Sequence, residues 1–269
     1  MKSVLKYPGS KWSMKDEIIK LIPMHHTYLE PFFGSGAIFF SKQPSDIEMI
    51  NDMDDDVVNL FTCIREDSEQ LARLVMCIPF ARKEYDLQFE LVNEEPKNDF
   101  ERASNFLVKC WQGHGFRTNG YKVGWKNDVQ GRERMYALWN WYRLPEWIVE
   151  IAERLRTVQI ENRPAIEVIK RFNYENVFMY LDPPYVLGTR TAKQYKHEMM
   201  DADHIELINT ILQSKAKIML SGYENSIYDE MLQGWNKVSF NANAEYGLKR
   251  TETIWMNYDT AVGQMKLFN

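Results

Sequence analysis

Residues 177–185 read Val177-Phe178-Met179-Tyr180-Leu181-Asp182-Pro183-Pro184-Tyr185. The first five form an apolar strand, and the last four end it abruptly. Two consecutive prolines fix the backbone, remove two N–H donors, and hold carbonyls outward beside an acidic side chain and an aromatic ring. Working outward, further strand signals fall at 27–30, 47–50, 157–160, 217–221 and 253–258, with helical patterns at 165–172 and 201–214 between some of them. Alternation of this kind predicts an α/β fold with a largely parallel sheet covered by helices on both faces. A capped helix from Ser13 toward Pro23 precedes it. Between the second and third strands the pattern changes. Helices are expected at 56–65, 68–78, 83–93 and 99–111 with no strand among them, followed by a glycine-broken segment. Residues 67–155 therefore read as an insertion into a domain made of 1–66 and 156–269.

Three short segments carry the chemistry. Pro31-Phe32-Phe33-Gly34-Ser35-Gly36-Ala37 follows the 27–30 strand, and a helix is expected to start at Ala37 to Phe40. Glycines at such a turn let the backbone pass close to a nucleotide-like ligand where a Cβ would collide. The third glycine of a dinucleotide fingerprint is here Phe39, which disfavours pyrophosphate and leaves a nucleoside without phosphates. Asp52, at the end of the next strand and 18 residues after Gly34, is placed to accept hydrogen bonds from ribose hydroxyls. Asp54, Asp55 and Asp56 behind it read as a solvated helix start. At the end of the 177–181 strand, the Asp182 carboxylate and the Pro183 carbonyl are two acceptors suited to both N–H groups of an amino-nucleobase. The amine of adenine is a poor nucleophile because its lone pair is delocalised into the ring. Holding both N–H groups aligns that pair with an electrophilic methyl, while Tyr185 stacks on the base.

The chain has 269 residues, 45% hydrophobic and 26% charged, with a net charge of -5. These values describe a soluble globular protein and exclude disorder and low-complexity scaffolds. No apolar run approaches the roughly 20 residues of a membrane span, and no signal peptide is readable, so a cytoplasmic protein is expected. Cys63, Cys77 and Cys110 form no CxxC pair and read as reduced core thiols. No histidine pair shares a helical face with a carboxylate, so no metal site is expected. Against the acidic whole, 109–143 holds seven basic and two acidic residues interleaved with tryptophans and tyrosines, a mixture suited to phosphates and stacked bases. The aromatics after Arg134 are spaced as on a helix and read as core. Around 117–130, Gly115, Gly120, Gly124 and Asn119-Gly120 predict a loop or hairpin that projects basic side chains, with Arg117, Asn119, Lys122 and Lys126 the candidates for nucleic-acid contact. Arginine and asparagine can read base edges, whereas lysine more often holds phosphate. Residues 195–198 after the Asp-Pro-Pro-Tyr turn read as a solvated loop, and Ser221 as structural.

Together, Tyr7-Pro8-Gly9-Ser10-Lys11, the 31–37 turn, Asp52 and Asp182-Pro183-Pro184-Tyr185 resemble, in order and spacing, the Dam-like (D12 class) DNA adenine N6-methyltransferases of the alpha group. The resemblance covers essentially the whole chain and implies a Rossmann-like seven-stranded methyltransferase sheet flanked by helices, with an inserted helical and hairpin DNA-recognition subdomain. It implies S-adenosylmethionine as methyl donor, bound by Tyr7, Gly9, Lys11, Pro31, Phe32, Gly34, Gly36, Asp52 and Asp182. Asp182, Pro183, Pro184 and Tyr185 would then be catalytic, acting on an adenine flipped out of double-stranded DNA. Restriction protection beside a cognate endonuclease is among the roles such membership suggests. The family's N-terminal motif often reads Gly-Gly-Lys; Gly9-Ser10-Lys11 keeps the lysine. Residues 112–130 match no recognition hairpin of assigned base sequence. Cytosine N4 methylation, which more often has a serine at the Asp182 position, is the rival chemistry, and an inactive DNA-binding module is the rival class.

Overall fold

The computed structural model describes residues 1–90, 96–127, 136–190, 193–243 and 249–260, with backbone alone at 136, 241–243 and 249–250. Strands β1 (Thr27–Glu30), β2 (Ile47–Asn51), β3 (Gln159–Glu161), β4 (Val177–Leu181), β5 (Lys217–Tyr223), β6 (Asn236–Asn243) and β7 (Lys249–Met256) form one sheet. Their order is β3-β2-β1-β4-β5-β7-β6. The first five run parallel, and β7 lies antiparallel between β5 and β6.

Every residue of β4 is buried, as a central strand covered on both faces requires. Alternate residues serve opposite cores. Tyr28, Phe178 and Tyr180 join the cluster packed under α1 (Lys15–Ile19), α2 (Asp55–Cys77), α4 (Asp99–Gln112) and α5 (Tyr136–Leu155). Leu29, Met179 and Leu181 join the cluster under α6 (Ala165–Arg171), α7 (Asp201–Leu212) and α8 (Ser226–Met231). Burying one such side chain stabilises by about 1.5–3 kcal/mol, so the 3.6-residue and two-residue periods together hold the layers. The expected helix pair 56–65 and 68–78 is one helix, α2, broken at Asp67, where φ is -150° and the carboxylate caps the Gln70 N–H at 2.8 Å. Helix α3 (Arg82–Glu90) packs beside α4, and the crossover from β2 to β3 carries all four helices α2 to α5. Their side chains share a single core with one face of the sheet.

Several expectations need correction. No regular helix starts at Ala37: residues 37–41 form turns, with Phe40 N–H bonded to the Gly36 carbonyl and Lys42 N–H to that of Ile38. Pro44 lies only seven residues beyond Ala37 and three before β2, which leaves too little chain for a full helix. Strand β6 and helix α8 escaped the sequence pattern. Strand β6 alternates Val238, Phe240 and Ala242 with polar neighbours, but it lies at the edge of the sheet and is placed by its pairing with β7. Cys77 is exposed, because it falls on the outer side of the last turn of α2 while Val75 faces inward. Trp141 and Trp147 are core, but Trp139 and Tyr142 are 61% and 71% exposed on the opposite side of α5. Residues 128–135, including Arg132 and Arg134, lie outside the described residues.

Candidate active site

The order of the strands reverses between β1 and β4, and in open α/β sheets such a switch point opens a crevice at the carboxyl ends of the strands. The turn after β1, the end of β2 and the turn after β4 all meet there. The crevice is a cleft of about 520 Å³ lined by Tyr7, Gly9, Lys11, Pro31, Phe32, Gly34, Asp52, Asp182 and Pro184, among others. Gly36, Pro183 and Tyr185 stand outside its lining. Gly34 adopts φ +48° with its Cα against the Tyr7 ring, where a Cβ would come within 3.1 Å of Tyr7 Cδ1. At Gly36, φ +63°, the obstacle is internal: a Cβ would sit 2.4 Å from Phe33 Cζ. One glycine thus keeps the cleft open, and the other lets the turn pack.

Asp52 is tied to the glycine turn directly. Its Oδ2 accepts the Gly34 N–H at 2.7 Å and its Oδ1 the Asp54 N–H at 2.9 Å. Burial nevertheless pushes its carboxyl up to about 7. Glu30, at the end of β1 and in the same cleft, is pushed by burial to about 8 while accepting the Tyr28 hydroxyl at 2.7 Å. Lys11 Nζ lies 2.9 Å from Asp182 Oδ1 and donates to the Gly9 carbonyl at 2.6 Å. Burial would lower the Lys11 ammonium, but Asp182 and Glu252 hold it well above its ordinary value. Burial raises Asp182, and Lys11 opposes that rise. Seven carboxylic side chains and two lysines line the cleft. That donor set suits a cationic ligand with hydroxyls to be held, and the apolar walls of Phe32, Ile38 and Ile166 suit a planar ring.

Residues 7–245 match the family described as the D12 class N6 adenine-specific DNA methyltransferase. The chain belongs to that family. It is similar to the type II methyltransferase M1.LlaDCHI of Lactococcus lactis subsp. cremoris, 26% identical over 94% of this chain and 94% of that one. It is also similar to the type II methyltransferase M.MjaIII of Methanocaldococcus jannaschii, 24% identical over 88% and 89% of the two chains. DNA adenine methylase of Escherichia coli K12 is 26% identical over 86% and 84%. The protein is therefore an adenine-specific DNA methyltransferase, and enzymes of this class use S-adenosylmethionine. The acid-rich cleft fits that sulfonium compound in size, charge and hydroxyl acceptors.

Around the cleft, this D12 class methyltransferase departs from the sequence reading in two places. Asp54 is buried, not solvated: it caps α2 and accepts the Tyr7 hydroxyl at 3.3 Å. Asp55 and Asp56 pair with Arg102 at 2.6 and 2.7 Å, and Lys196 reaches Asp55 at 2.5 Å. The three carboxylates lie close enough to suggest a cation site, but Arg102 and Lys196 already pair with them. Residues 195–198 are not a free loop either. Tyr195, Lys196, His197 and Glu198 line the cleft, and the Tyr195 hydroxyl donates to the Pro8 carbonyl at 3.2 Å. A buried Arg190–Glu198 ion pair holds the segment down.

The basic loop is closed by one antiparallel bridge between Gly113 and Trp125, and 128–130 lie outside the described residues. Arg117 lies over the exposed Tyr121 ring at 5.0 Å. Asn119 is exposed, with its Nδ2 donating to the Lys193 carbonyl at 3.0 Å. Lys122 pairs with Asp86 at 2.7 Å, and Lys126 donates to the Trp111 carbonyl at 3.2 Å. Two residues of the site escaped the sequence reading. Glu252 of β7 accepts the Tyr185 hydroxyl and lies 3.6 Å from Lys11, and Glu30 stands beside Asp182. A lone acid in a strand gives no signal until its neighbours across the sheet are known. Ser221 is structural, its hydroxyl 2.7 Å from that of Tyr180.

Proposed function

We propose that this enzyme methylates N6 of an adenine flipped out of double-stranded DNA within one short sequence, and that Asp182 orients the amine. The observation that carries this reading is the convergence of Asp182, Lys11 and Asp52 on one cleft, with Asp182 18% exposed at its side chain beside a Lys11 that is 6% exposed. S-adenosylmethionine supplies an electrophilic methyl group when bound. Asp52 and its backbone partners present a carboxylate to the ribose hydroxyls, and Gly34 and Pro31 leave room for the remainder. The Asp182 carboxylate, kept ionised by Lys11, accepts an N–H of the amine and directs its lone pair; the Pro183 carbonyl accepts the second. Tyr185, fixed by its hydroxyl bond to Glu252 and by the Tyr223 ring 4.6 Å away, braces the turn, with one face proposed to stack on the base. Catalysis of this kind is positioning plus local electrostatics, without a covalent enzyme intermediate.

Residues 67–155 act in this reading as the recognition insertion. Arg117 and Asn119 read base edges, Lys122 and Lys126 hold phosphates, and flipping costs a few kcal/mol offset by stacking and hydrogen bonds in the pocket. Likeness to type II methyltransferases supports a restriction endonuclease of the same specificity as a partner. A DNA substrate puts the working enzyme where DNA is, which for prokaryotic relatives is the cytoplasm. Single-molecule sequencing of DNA from a methylation-deficient host expressing the chain tests the proposal. Modified adenines in one motif are expected; modified cytosines, or unmodified DNA from folded protein, would overturn it.

A further inference from the structure

Glu198 stands where three parts of the enzyme meet. Its Oε1 accepts the backbone N–H groups of Gln194 at 2.6 Å and Tyr195 at 3.0 Å, and its carboxylate pairs with Arg190. Arg190 in turn donates from Nε to the Tyr185 carbonyl at 2.7 Å, so the guanidinium grips the last residue of the catalytic turn. On the other side, the Gln194 carbonyl accepts the Thr118 N–H at 2.8 Å, and the Lys196 N–H donates to Thr118 Oγ1 at 2.7 Å. Thr118 lies between the two residues assigned to base reading. The Tyr195 hydroxyl, finally, reaches the Pro8 carbonyl of the methyl-donor loop. Arg190 and Glu198 are 6% and 10% exposed at their side chains. A pair this buried contributes little net stability by itself, because desolvation offsets most of the attraction. What it does here is fix backbone: four donors converge on one carboxylate and make the recognition loop, the 194–196 segment and the catalytic turn a single bonded unit.

We propose that Glu198, with Arg190, is a positioning residue through which DNA held by the recognition loop raises the enzyme's affinity for its methyl donor. This rests on the function proposed above. Two ligands that both lean on one bonded unit bind cooperatively, since each favours the arrangement of the 194–196 segment that the other needs. The effect is reciprocal, and couplings of this kind range from about 5-fold to 150-fold.

The test is titration calorimetry with S-adenosylhomocysteine, which has no methyl to transfer, with and without a duplex carrying the methylated motif. The quantity read is the ratio of the two affinities within each protein. For the unaltered enzyme a ratio of about fivefold or more is expected. Glu198→Gln keeps the shape and one acceptor but loses the charge, and its ratio should fall toward one whatever its affinity without DNA. Thr118→Ala, which removes the hydroxyl that accepts the Lys196 N–H at 2.7 Å and reaches the Gln194 carbonyl at 3.5 Å on a half-buried surface, should lower the ratio at least threefold and decides the matter should Glu198→Gln fail to fold. An undiminished ratio in the folded variants, or a ratio of one in the unaltered enzyme, would overturn the proposal. Failure of the underlying function would show differently: the unaltered enzyme would not bind the homocysteine compound at all, and both readings would fall together.

Discussion

Lys11 Nζ sits 2.9 Å from Asp182 Oδ1 inside a site where burial disfavours the charge of both groups. Each favours the charged form of the other. Removing one charge from a buried pair leaves the other uncompensated, so Lys11→Met should do more than loosen the cleft. With Lys11 gone the Asp182 carboxyl rises further, and since the ionised form is the one that orients the amine, the acid limb of the rate profile moves to higher pH. A neighbouring opposite charge is worth about 1–3 pKa units, so a shift of about one unit or more is expected in single-turnover rates. An unmoved limb would detach Lys11 from the ionisation of Asp182.

Asp182→Asn retains shape and size but exchanges one acceptor oxygen for a donor. Loss of one positioned hydrogen bond at a reacting centre typically costs about 100-fold to 1,000-fold in kcat. Methyl transfer in single-turnover assays should fall at least that far while S-adenosylhomocysteine still binds. Near-normal turnover would reassign the role.

Three buried carboxyls make a prediction for the ligand-free protein. Glu30 at about 8, Asp52 at about 7 and Glu252 at about 7 all lie above the ordinary carboxylate range, each because burial penalises its charge. The folded state therefore binds more protons than the unfolded state between about pH 4 and 8, and stability falls as pH rises through that window. Thermal unfolding should occur several degrees higher at pH 5.5 than at pH 8.5, and Glu30→Gln should flatten the upper part of the difference. A melting temperature that rises with pH across the window would contradict the assigned burial.

Lys122 is shared between Asp86 and the proposed phosphate contact. DNA must displace the Asp86 carboxylate, so Lys122→Ala should weaken binding modestly and reduce the salt slope by about one, while Asp86→Asn should strengthen binding. Lys126→Ala should likewise flatten the slope. Filter binding across a salt series reads all three, and unchanged slopes would remove the lysines from the interface.

Gly36→Ala tests the packing role of the turn. Its Cβ would meet Phe33 and Phe40 and demand φ +63° of a residue that resists it. A clear loss of melting temperature is expected, with the affinity of surviving folded protein for S-adenosylhomocysteine little changed; the reverse pattern would make Gly36 a ligand contact.

The sequence by itself determined the largely parallel, helix-covered sheet and the three segments that carry the chemistry at its strand ends, but not the order of the strands. Buried strands such as 177–181 must alternate with amphipathic helices, and a glycine turn, Asp52 and Asp182-Pro183-Pro184-Tyr185 at strand ends can only face the same crevice once those strands lie parallel. Local pattern also read the helices between the second and third strands and the glycine-broken basic loop behind them. Tertiary structure alone decided the rest, because it depends on which distant groups become neighbours. That Asp54 is buried rather than solvated follows from Tyr7 lying across it, that Glu252 belongs to the site follows from β7 running antiparallel beside β5, and that Tyr195 to Glu198 cover the cleft follows from Arg190 and Thr118 holding them there. A one-dimensional pattern encodes burial and period. The ionisation of a buried carboxyl is set by the charges within a few ångströms of it, and those come from every part of the chain.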